Sequence, residues 1–587
     1  MNLKQTAFCM TIFSCLLLKA PSSLGQNDVE PGWERSFQAG GTDANGEFMG
    51  GSTIVHLVGH KEKLYAGNSY WLDSNHYWYG GSNPNTPWGQ VLRLDEPGGD
   101  WEEDLDLGPQ HLRVELLESI VLTTDENGAA LPEPVNLLVA AEYNVKSTTV
   151  DIDFWIRDDS DGTWDMTVVR SDTRNADLEV HSVRALQVHQ DNVTGVDRVF
   201  LSVGQIGIAS GVFDPDAPGQ IVWDANTETG WAANRILSVI EANDDLLYSA
   251  GRKIYRRNDG YSPTYTVVGD VSDLYPASQN PLGGIRGMSP MPNPNGPGES
   301  IIFAMTESSN APGWILRLDP NGDGTYTRVE EDRLDTYMSA YLGGNPVYFI
   351  LAAYNEFTPV LDPFSSERLS LIGFESWIGG FTYPLWGAGD TGGFYRGAMY
   401  AIRDSSGDIR LAEVNGLSTY NKPATVATTT IEISPFPEDN GQALYFGGHD
   451  GNHMDSTNMA WIFRSSVAQA LHRTTINAGR GDIPVQVPTG YDPAEPMPLV
   501  ITLHGYSGNS ASMASYLKFS EMADAYGYLY INPDGTTDSQ GKQFWNATDA
   551  CCDFYNSGTD DSGYILDLIN AVKAEYNVDA DRVFLVG

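Results

Sequence analysis

One phrase recurs along residues 40–465: a strand ending in Arg or another polar residue, an acidic Gly turn, and an aromatic residue that opens the next strand. Its copies are VLRLDEPGGDW (91–101), FWIRDDSDGTW (154–164), IYRRNDGY (254–261), WILRLDPNGDGTY (314–326) and IRDSSGDIR (402–410). Turns rich in Asp and Gly between such segments predict antiparallel hairpins. A recurring phrase constrains the fold strongly, because one structural unit must be built several times.

A second phrase, a strand that ends near small residues, precedes several of these copies. Its examples are LYAGN (64–68), VFLSVG (199–204), LLYSAG (246–251), IIFAM (301–305) and LYFGGHD (444–450). Together the two phrases predict a four-stranded antiparallel blade, repeated six to eight times if a degenerate copy near 345–362 is counted. A spacing of roughly 40–65 residues is typical of a β-propeller. A sandwich would need no repeated phrase, and a β-helix would have shorter rungs.

The charge of the chain excludes several classes of partner. Its 587 residues include 34 Lys and Arg against 77 Asp and Glu, a net charge of −43. Such a chain repels nucleic acid and anionic membranes, so neither is expected as a partner. The composition does not determine the oligomeric state, and nothing in it indicates a cofactor.

The first 25 residues have the pattern of a secretory signal peptide. Lys4 precedes an apolar run over residues 7–18, and the small residues Ser22, Ser23 and Gly25 follow it. This run is too short for a membrane anchor. We therefore predict export to the extracellular space or the periplasm, with cleavage near Gly25. A buried N-terminal helix is the alternative.

Two polar clusters contain residue types that can bind metals. Asp319, Asn321, Asp323, Gly324 and Glu330 have the spacing of a helix-loop-helix calcium loop. The segment before them is a strand and not a helix, so a plain hairpin turn is favoured.

The second cluster is YFGGHDGNHMD, with His449, Asp450 and His453. It could hold a metal or a substrate, but no further ligand with suitable spacing is visible. A hydrogen-bonded loop is favoured, and no metal site is predicted.

The composition changes after residue 470. A stretch rich in Pro and Gly (476–498) includes a short strand over 485–487 and acts as a linker. Beyond it, strands at 498–505, 528–535 and 582–587 alternate with helices at about 510–526 and 561–576. This order predicts a doubly wound parallel sheet in a second domain.

Five motifs in this region occur in order: PLVITLHGYSGN, INPDG, Trp545 followed by Cys551-Cys552, the helix start at Asp560-Asp561, and VDADRVFLVG. Together they resemble the secreted α/β-hydrolase family of feruloyl esterases and polyhydroxybutyrate depolymerases, over about residues 478–587. The resemblance implies a linker and first strand at 476–498 and a partial α/β-hydrolase domain at 499–587.

The resemblance also implies where the catalytic groups lie. In the family, the nucleophile elbow G-x-S-x-G follows the last of these strands, and Gly587 matches its first glycine. The Ser, Asp and His of the triad would then all follow Gly587, so the chain as printed is expected to be an inactive fragment. It retains one side of the oxyanion hole, His504-Gly505-Tyr506, with the Tyr506 N–H as the donor.

Neighbouring polar residues are given structural roles. His504 is expected to brace the turn and not to act as a base. Asp560 and Asp561 are interpreted as a helix N-cap and a first-turn acid. Cys551 and Cys552 are adjacent, and because adjacent cysteines rarely pair, their partners are expected elsewhere.

Two functions follow. The first is a secreted serine esterase of the feruloyl, acetyl or polyhydroxybutyrate depolymerase type, whose N-terminal propeller binds or positions an ester-bearing polymer or oligosaccharide. The alternative is a noncatalytic secreted propeller that binds a ligand and carries a hydrolase remnant.

Overall fold

The computed structural model describes residue 29 and residues 32–587, apart from 71–87, 110, 176, 233, 275–283, 307–312, 342–346, 353–355, 379–393, 396, 416–424, 450–457, 473–474, 489–490, 493–494 and 549–550. The segment of residues 1–25 interpreted as a signal peptide lies outside the described residues, as do Asp450 and His453. Within the described part of the chain, no helix has the length and apolar character needed to cross a bilayer.

The described part of the chain is mostly β-structure, and residues 33–466 contain seven successive antiparallel units, here called blades 1–7, of which blades 7 and 1 are joined into one eight-stranded sheet by the pair His449 and Thr53. The first described strands are β1 (Trp33–Gln38) and a small hairpin of β2 (Gly41–Thr42) and β3 (Phe48–Met49). Blade 1 consists of β4 (Thr53–His60), β5 (Lys63–Ser69), β6 (Gln90–Leu94) and β7 (Glu102–Asp106), and blade 2 consists of β8 (Leu116–Thr124), β9 (Ala130–Val145), β10 (Thr149–Arg157) and β11 (Trp164–Thr173). Blade 3 consists of β12 (Leu186–Gln190), β13 (Asp197–Val203), β14 (Gly207–Phe213) and β15 (Ile221–Trp223). Blade 4 consists of β16 (Ile236–Ala242), β17 (Asp245–Ala250), β18 (Lys253–Asn258) and β19 (Thr264–Asp270).

Blades 5–7 continue the series, and blade 6 carries two additional short strands. They are as follows: blade 5, β20 (Gly284–Pro292), β21 (Glu299–Thr306), β22 (Trp314–Pro320) and β23 (Tyr326–Arg333); blade 6, β24 (Val347–Ala352), β25 (Thr358–Leu361), β26 (Arg368–Ile378), β27 (Phe394–Tyr395), β28 (Met399–Arg403) and β29 (Ile409–Glu413); blade 7, β30 (Val426–Ile433), β31 (Ala443–His449) and β32 (Trp461–Ser466), completed by β1. Helix α1 (Leu334–Tyr341) follows blade 5, α2 (Val467–Leu471) follows blade 7, and 3-10 turns occupy Leu178–His181 and Pro437–Asp439.

The blades close into a ring in two ways. Strand β1 pairs with β32, so a strand from the start of the ring completes the last blade. A separate apolar cluster fills each of the seven contacts between neighbouring blades, including the contact between blades 7 and 1, where Phe37, Ile54 and Tyr445 pack together. This is the architecture of a seven-bladed propeller-like ring, within the predicted range of six to eight units.

The recurring phrase forms the turn between the two outer strands of a blade. In blade 5, Asp323 Oδ1 accepts a hydrogen bond from the Thr325 N–H at 3.0 Å, and Gly324 has a φ of +83°. The residues matching a calcium loop therefore lie in the β22–β23 hairpin. The pairing of β22 with β23 confirms the hairpin, in which Asp319 accepts hydrogen bonds from the side chains of Ser300, Arg317 and Asn295.

Residues 475–587, here called the C-terminal unit, form a five-stranded mixed sheet in the order β33-β34-β36-β35-β39. Strands β35, β36 and β39 are parallel, whereas β33 and β34 run antiparallel to their neighbours. The elements are β33 (Thr475–Asn477), β34 (Asp482–Gln486), β35 (Met497–Thr502), α3 (Ser510–Leu517), α4 (Phe519–Tyr526), β36 (Leu529–Ile531), a small hairpin of β37 (Thr536–Thr537) and β38 (Gln543–Phe544), α5 (Asp561–Glu575) and β39 (Val578–Val586).

Three sequence expectations in this unit were wrong. The linker strand joins the sheet antiparallel, so the sheet is mixed and not all parallel. The helix predicted over 510–526 is two helices, because Lys518 adopts a left-handed conformation between them. Cys551 and Cys552 form a disulfide with each other, and the cis peptide bond between them brings their Cα atoms to 3.0 Å.

The two parts of the chain pack against each other through an aromatic contact. Phe364, from the β25–β26 hairpin of blade 6, stacks on His472 with ring centroids 4.1 Å apart. Its other edge meets Tyr491 and Tyr576 of the C-terminal unit at 5.0 and 6.1 Å. His472 Nε2 lies 2.7 Å from Asp362 Oδ1 and holds the segment between the two parts against blade 6.

Candidate active site

The candidate site lies where β35 ends. The Leu503 N–H donates to the carbonyl of Val586 at 2.8 Å, which joins this end of β35 to β39. The next three residues are His504, Gly505 and Tyr506. A loop at the carboxyl end of a parallel strand is the usual place for a binding site in an α/β sheet.

His504 is buried and both of its ring nitrogens have backbone partners. Nε2 accepts the Gly535 N–H at 2.9 Å, and Nδ1 donates to the carbonyl of Gly505 at 2.8 Å. This pair of contacts defines a neutral imidazole, protonated on Nδ1. The Trp545 ring lies 5.5 Å away and covers it. His504 in this arrangement connects the turn to Gly535, which directly precedes β37, and has no nitrogen left to accept a proton from a nucleophile.

The turn after His504 is tight and open on one side. The Gly508 N–H donates to the carbonyl of Gly505 at 2.9 Å, and the Ser507 N–H donates to Gln543 at 2.8 Å. A Cβ placed on Gly505 would have no atom within 4 Å, so this face of the turn is accessible.

Tyr506 is held by its side chain. Its hydroxyl donates to Asp538 Oδ2 at 3.0 Å, and its ring packs edge-on against Phe554 at 5.0 Å. Among the residues that the structure describes, no acceptor pairs with the Tyr506 backbone N–H. A donor on a braced turn at a strand end is suited to stabilise a developing oxyanion.

A pocket of about 500 Å³ lies beside this turn and is lined mainly by polar groups. Asn509 caps α3 by accepting the Ser512 N–H at 2.8 Å, and Asp534 accepts the Ser510 N–H at 2.6 Å. The lining residues are Ser507, Gly508, Asn509, Ser510, Ala511, Asp534, Thr537, Gly541, Lys542 and Gln543.

The paired acids at the start of α5 have the geometry of structural groups. Asp560 caps the helix by accepting the Gly563 N–H at 2.8 Å. Asp561 is buried, lies 2.5 Å from the Arg480 guanidinium and accepts the Asn546 N–H at 2.5 Å. The sequence reasoning missed Arg480, whose guanidinium also lies 3.9 Å from the Tyr564 ring centroid. No sequence signal links a linker arginine to a helix 80 residues later.

Of the second polar cluster, the structure describes His449, which contacts Glu375. His449 Nε2 lies 2.9 Å from Glu375 Oε2, across the ends of β31 and β26. Both side chains are largely buried.

The family match lies in the C-terminal unit. Residues 484–587 match the family model described as Esterase PHB depolymerase. A bifunctional acetylxylan esterase/xylanase of Neocallimastix patriciarum is 32% identical over 110 residues, which cover 19% of this chain and 14% of that protein. Feruloyl esterase B of Neurospora crassa is 33% identical over 89 residues, covering 15% of this chain and 29% of that protein. The chain thus spans less than a third of the length of either curated relative.

Two solved structures align with about three quarters of the chain. An α-L-arabinanase of Penicillium chrysogenum in complex with arabinobiose has a TM-score of 0.36 at 11% identity, over 75% of this chain and 99% of that chain. An α-L-arabinofuranosidase of Fusarium graminearum has a TM-score of 0.37 at 9% identity, over 76% of this chain and all of that chain. These scores are too low to transfer any function.

Proposed function

We propose that the C-terminal unit is the oxyanion-hole part of a secreted serine carboxylic ester hydrolase of the α/β-hydrolase type. The Tyr506 N–H carries the proposal, because it is a backbone donor without a partner among the described residues, on a turn that His504 braces. The esterase family match over residues 484–587 supports the same assignment.

In the proposed reaction the serine hydroxyl attacks an ester carbonyl while the triad histidine takes the hydroxyl proton, and the carbonyl oxygen becomes an alkoxide. When the C=O bond re-forms, the alcohol leaves with that proton, and water then hydrolyses the acyl-serine. The Tyr506 N–H donates to the alkoxide oxygen, and the N–H after the serine supplies the second donor. The family pattern puts this serine two positions after Gly587, with the Asp and His further along the chain. His504 then acts as a positioning residue that keeps the Tyr506 N–H aimed at the oxyanion.

We further propose that the substrate is an ester-bearing polysaccharide, with short acyl or hydroxycinnamoyl esters preferred and polyhydroxyalkanoate as the second choice. The two esterase relatives act on acetylxylan and feruloyl esters by their names. The propeller-like ring would hold the polymer, while the C-terminal unit cleaves the ester. Contact through Phe364 keeps the two parts adjacent.

The test is a chimera in which the family segment from the nucleophile elbow onward is joined after Gly587. We expect it to cleave methyl ferulate or acetylated xylan, and less readily a polyhydroxybutyrate film. With the 587-residue chain that lacks the addition, p-nitrophenyl acetate and methyl ferulate should be hydrolysed no faster than in buffer alone. A chimera with the elbow serine replaced by alanine controls for contaminating esterase.

The role of Tyr506 is tested in the same chimera. Tyr506→Pro removes the N–H and should lower kcat by about 10²–10³, the usual loss for one oxyanion donor. Tyr506→Phe keeps the N–H and loses only the hydroxyl contact to Asp538, so kcat should change little. A folded chimera that cleaves none of the three substrates would contradict the esterase proposal and favour the noncatalytic binding protein.

A further inference from the structure

Two side chains of blade 2 and one from the segment before it converge at a buried point outside the proposed active site. His111 lies just before β8, Glu142 lies in β9 and Asp153 lies in β10, and their relative exposures are 8%, 1% and 2%. Glu142 and Asp153 face each other in register across the β9–β10 ladder. Two carboxylates directly opposite each other repel, so the pair needs a shared proton or a cation between the two groups.

The spacing of their polar atoms is that of a coordination shell. His111 Nε2 lies 3.1 Å from Glu142 Oε1 and 3.4 Å from Asp153 Oδ2. One ligand atom from each residue lies within 4.8 Å of the other two. With metal–ligand bonds of about 2.1 Å, neighbouring ligands around a tetrahedral ion are separated by about 3.4 Å.

The second ring nitrogen of His111 is already used. Nδ1 donates to the backbone carbonyl of Gly108 at 3.1 Å. Histidines that bind metals usually donate their other N–H to a carbonyl or a carboxylate, and this contact orients the ring. In this tautomer, the lone pair of Nε2 points toward the two carboxylates.

The carboxylates themselves lack enough donors. Both oxygens of Glu142 and Oδ1 of Asp153 are buried with no hydrogen-bond partner among the described residues. The Trp155 indole lies near Glu142 without forming a hydrogen bond of regular geometry, and Asn144 Nδ2 reaches only Asp153 Oδ2, at 3.3 Å. Buried anionic oxygens without donors are strongly destabilising, and a bound cation would satisfy them together.

We propose that His111, Glu142 and Asp153 bind a divalent transition-metal ion, with Zn²⁺ as the preferred ion. One imidazole and two carboxylates suit zinc, whereas calcium and magnesium prefer oxygen ligands alone. The ion ties His111 to strands β9 and β10, at the contact between blades 1 and 2. This role is structural and is independent of the proposed esterase activity.

The test uses the full chain after treatment with a chelator. Isothermal titration with Zn²⁺ should show one tight site per chain, and Zn²⁺ should raise the melting temperature. Mn²⁺ should bind more weakly, following the usual order of divalent affinities, and Ca²⁺ should not compete. Glu142→Gln and Asp153→Asn should each weaken the tight site by at least ~100-fold.

His189 offers a matched control. It also lies between two carboxylates, but they contact different ring nitrogens: Nδ1 is 2.8 Å from Glu241 and Nε2 is 3.1 Å from Asp259, so no two carboxylates converge on one nitrogen as they do at His111. Glu241→Gln should therefore leave the tight zinc site unchanged.

The proposal would be overturned if titration showed no tightly bound zinc. It would also be overturned if Glu142→Gln and Asp153→Asn bound zinc with the same affinity as the unaltered chain. If the two variants do not fold, X-ray absorption of the zinc-loaded unaltered chain still decides the question. One nitrogen and two or more oxygens at about 2.0–2.1 Å support the site. A coordination shell of six oxygens contradicts the site, because zinc ions that bind weakly at surface carboxylates have such a shell.

Discussion

At the scale of single residues, Glu118 illustrates how a shared environment changes a carboxyl group. It lies on β8 of blade 2, close enough to Glu356 and Glu432 to feel their charges. Burial, followed by these two like charges, raises the pKa of Glu118 from 4.5 to about 8. Burial also raises the pKa of Glu432 to about 7.

Glu118→Gln should therefore change the pH dependence of stability. Because the folded state raises the pKa of Glu118, the folded chain binds this proton more tightly, and stability is lost as pH rises from about 4.5 to about 8. At pH 4 the variant and the unaltered chain should have the same melting temperature. At pH 9 the variant should have the higher melting temperature.

Differential scanning fluorimetry at both pH values measures this effect. Glu126→Gln, which removes an exposed carboxyl in the β8–β9 turn, is the matched control and should behave alike at both. An equal change of melting temperature at pH 4 and pH 9 for Glu118→Gln would contradict the prediction.

At the scale of elements, the contact between blades 6 and 7 depends on one glycine. Gly373 lies in β26, and a Cβ built on it would lie 2.2 Å from the carbonyl oxygen of Thr428 in β30. A backbone atom cannot move aside without separating the two strands.

Gly373→Ala should consequently lower the free energy of unfolding by about 1–3 kcal/mol, the usual effect of overpacking. Gly230→Ala is the control, because a Cβ there meets nothing within 4 Å. Urea unfolding followed by tryptophan fluorescence compares the two variants. A Gly373→Ala midpoint equal to that of Gly230→Ala would show that β26 and β30 are not closely packed.

The last strand of the C-terminal unit has an uncovered apolar surface. Phe584 and Leu585 of β39 are 50% and 53% exposed. The isolated segment 478–587 also loses the Phe364 contact to Tyr491 and Tyr576. We therefore expect this segment to bind a hydrophobic dye and to unfold without a sharp transition.

Calorimetry and dye fluorescence on the isolated segment test this expectation, with the 33–471 segment as the comparison. The latter should melt cooperatively. A sharp transition of 478–587 without dye binding would contradict the prediction.

At the scale of the whole molecule, closure of the ring depends on β1. The strand pairs with β32, with Trp33 opposite Ser465 and Gln38 opposite Trp461. Trp33 also packs edge-on against Phe446, with ring centroids 5.3 Å apart. Without β1, strand β32 would become an open edge.

Deletion of residues 26–38 should lower the melting temperature and increase aggregation. A chain that lacks only residues 1–25 should keep the melting temperature and the low aggregation of the full chain. Thermal unfolding with light scattering measures the two effects. Equal melting temperatures for the two truncated chains would show that β1 does not contribute to closure.

The sequence by itself determined the local units of this protein. Acidic Gly turns such as Asp323-Gly324 specify hairpins because their preferences act within a few residues, and the blade pattern followed from their repetition. The motif order after residue 498 likewise indicated parallel strands and esterase character, in agreement with the pairing of β35, β36 and β39 and with the family match.

Only the tertiary structure decided what depends on contacts between distant residues. It determined the number of blades, the closure through β1, the antiparallel entry of β34 and the pairing of Cys551 with Cys552. It also brought His111, Glu142 and Asp153 together, although no short motif contains them. Spacing along a chain reports only local geometry, whereas burial and the convergence of ligands arise when separate strands pack.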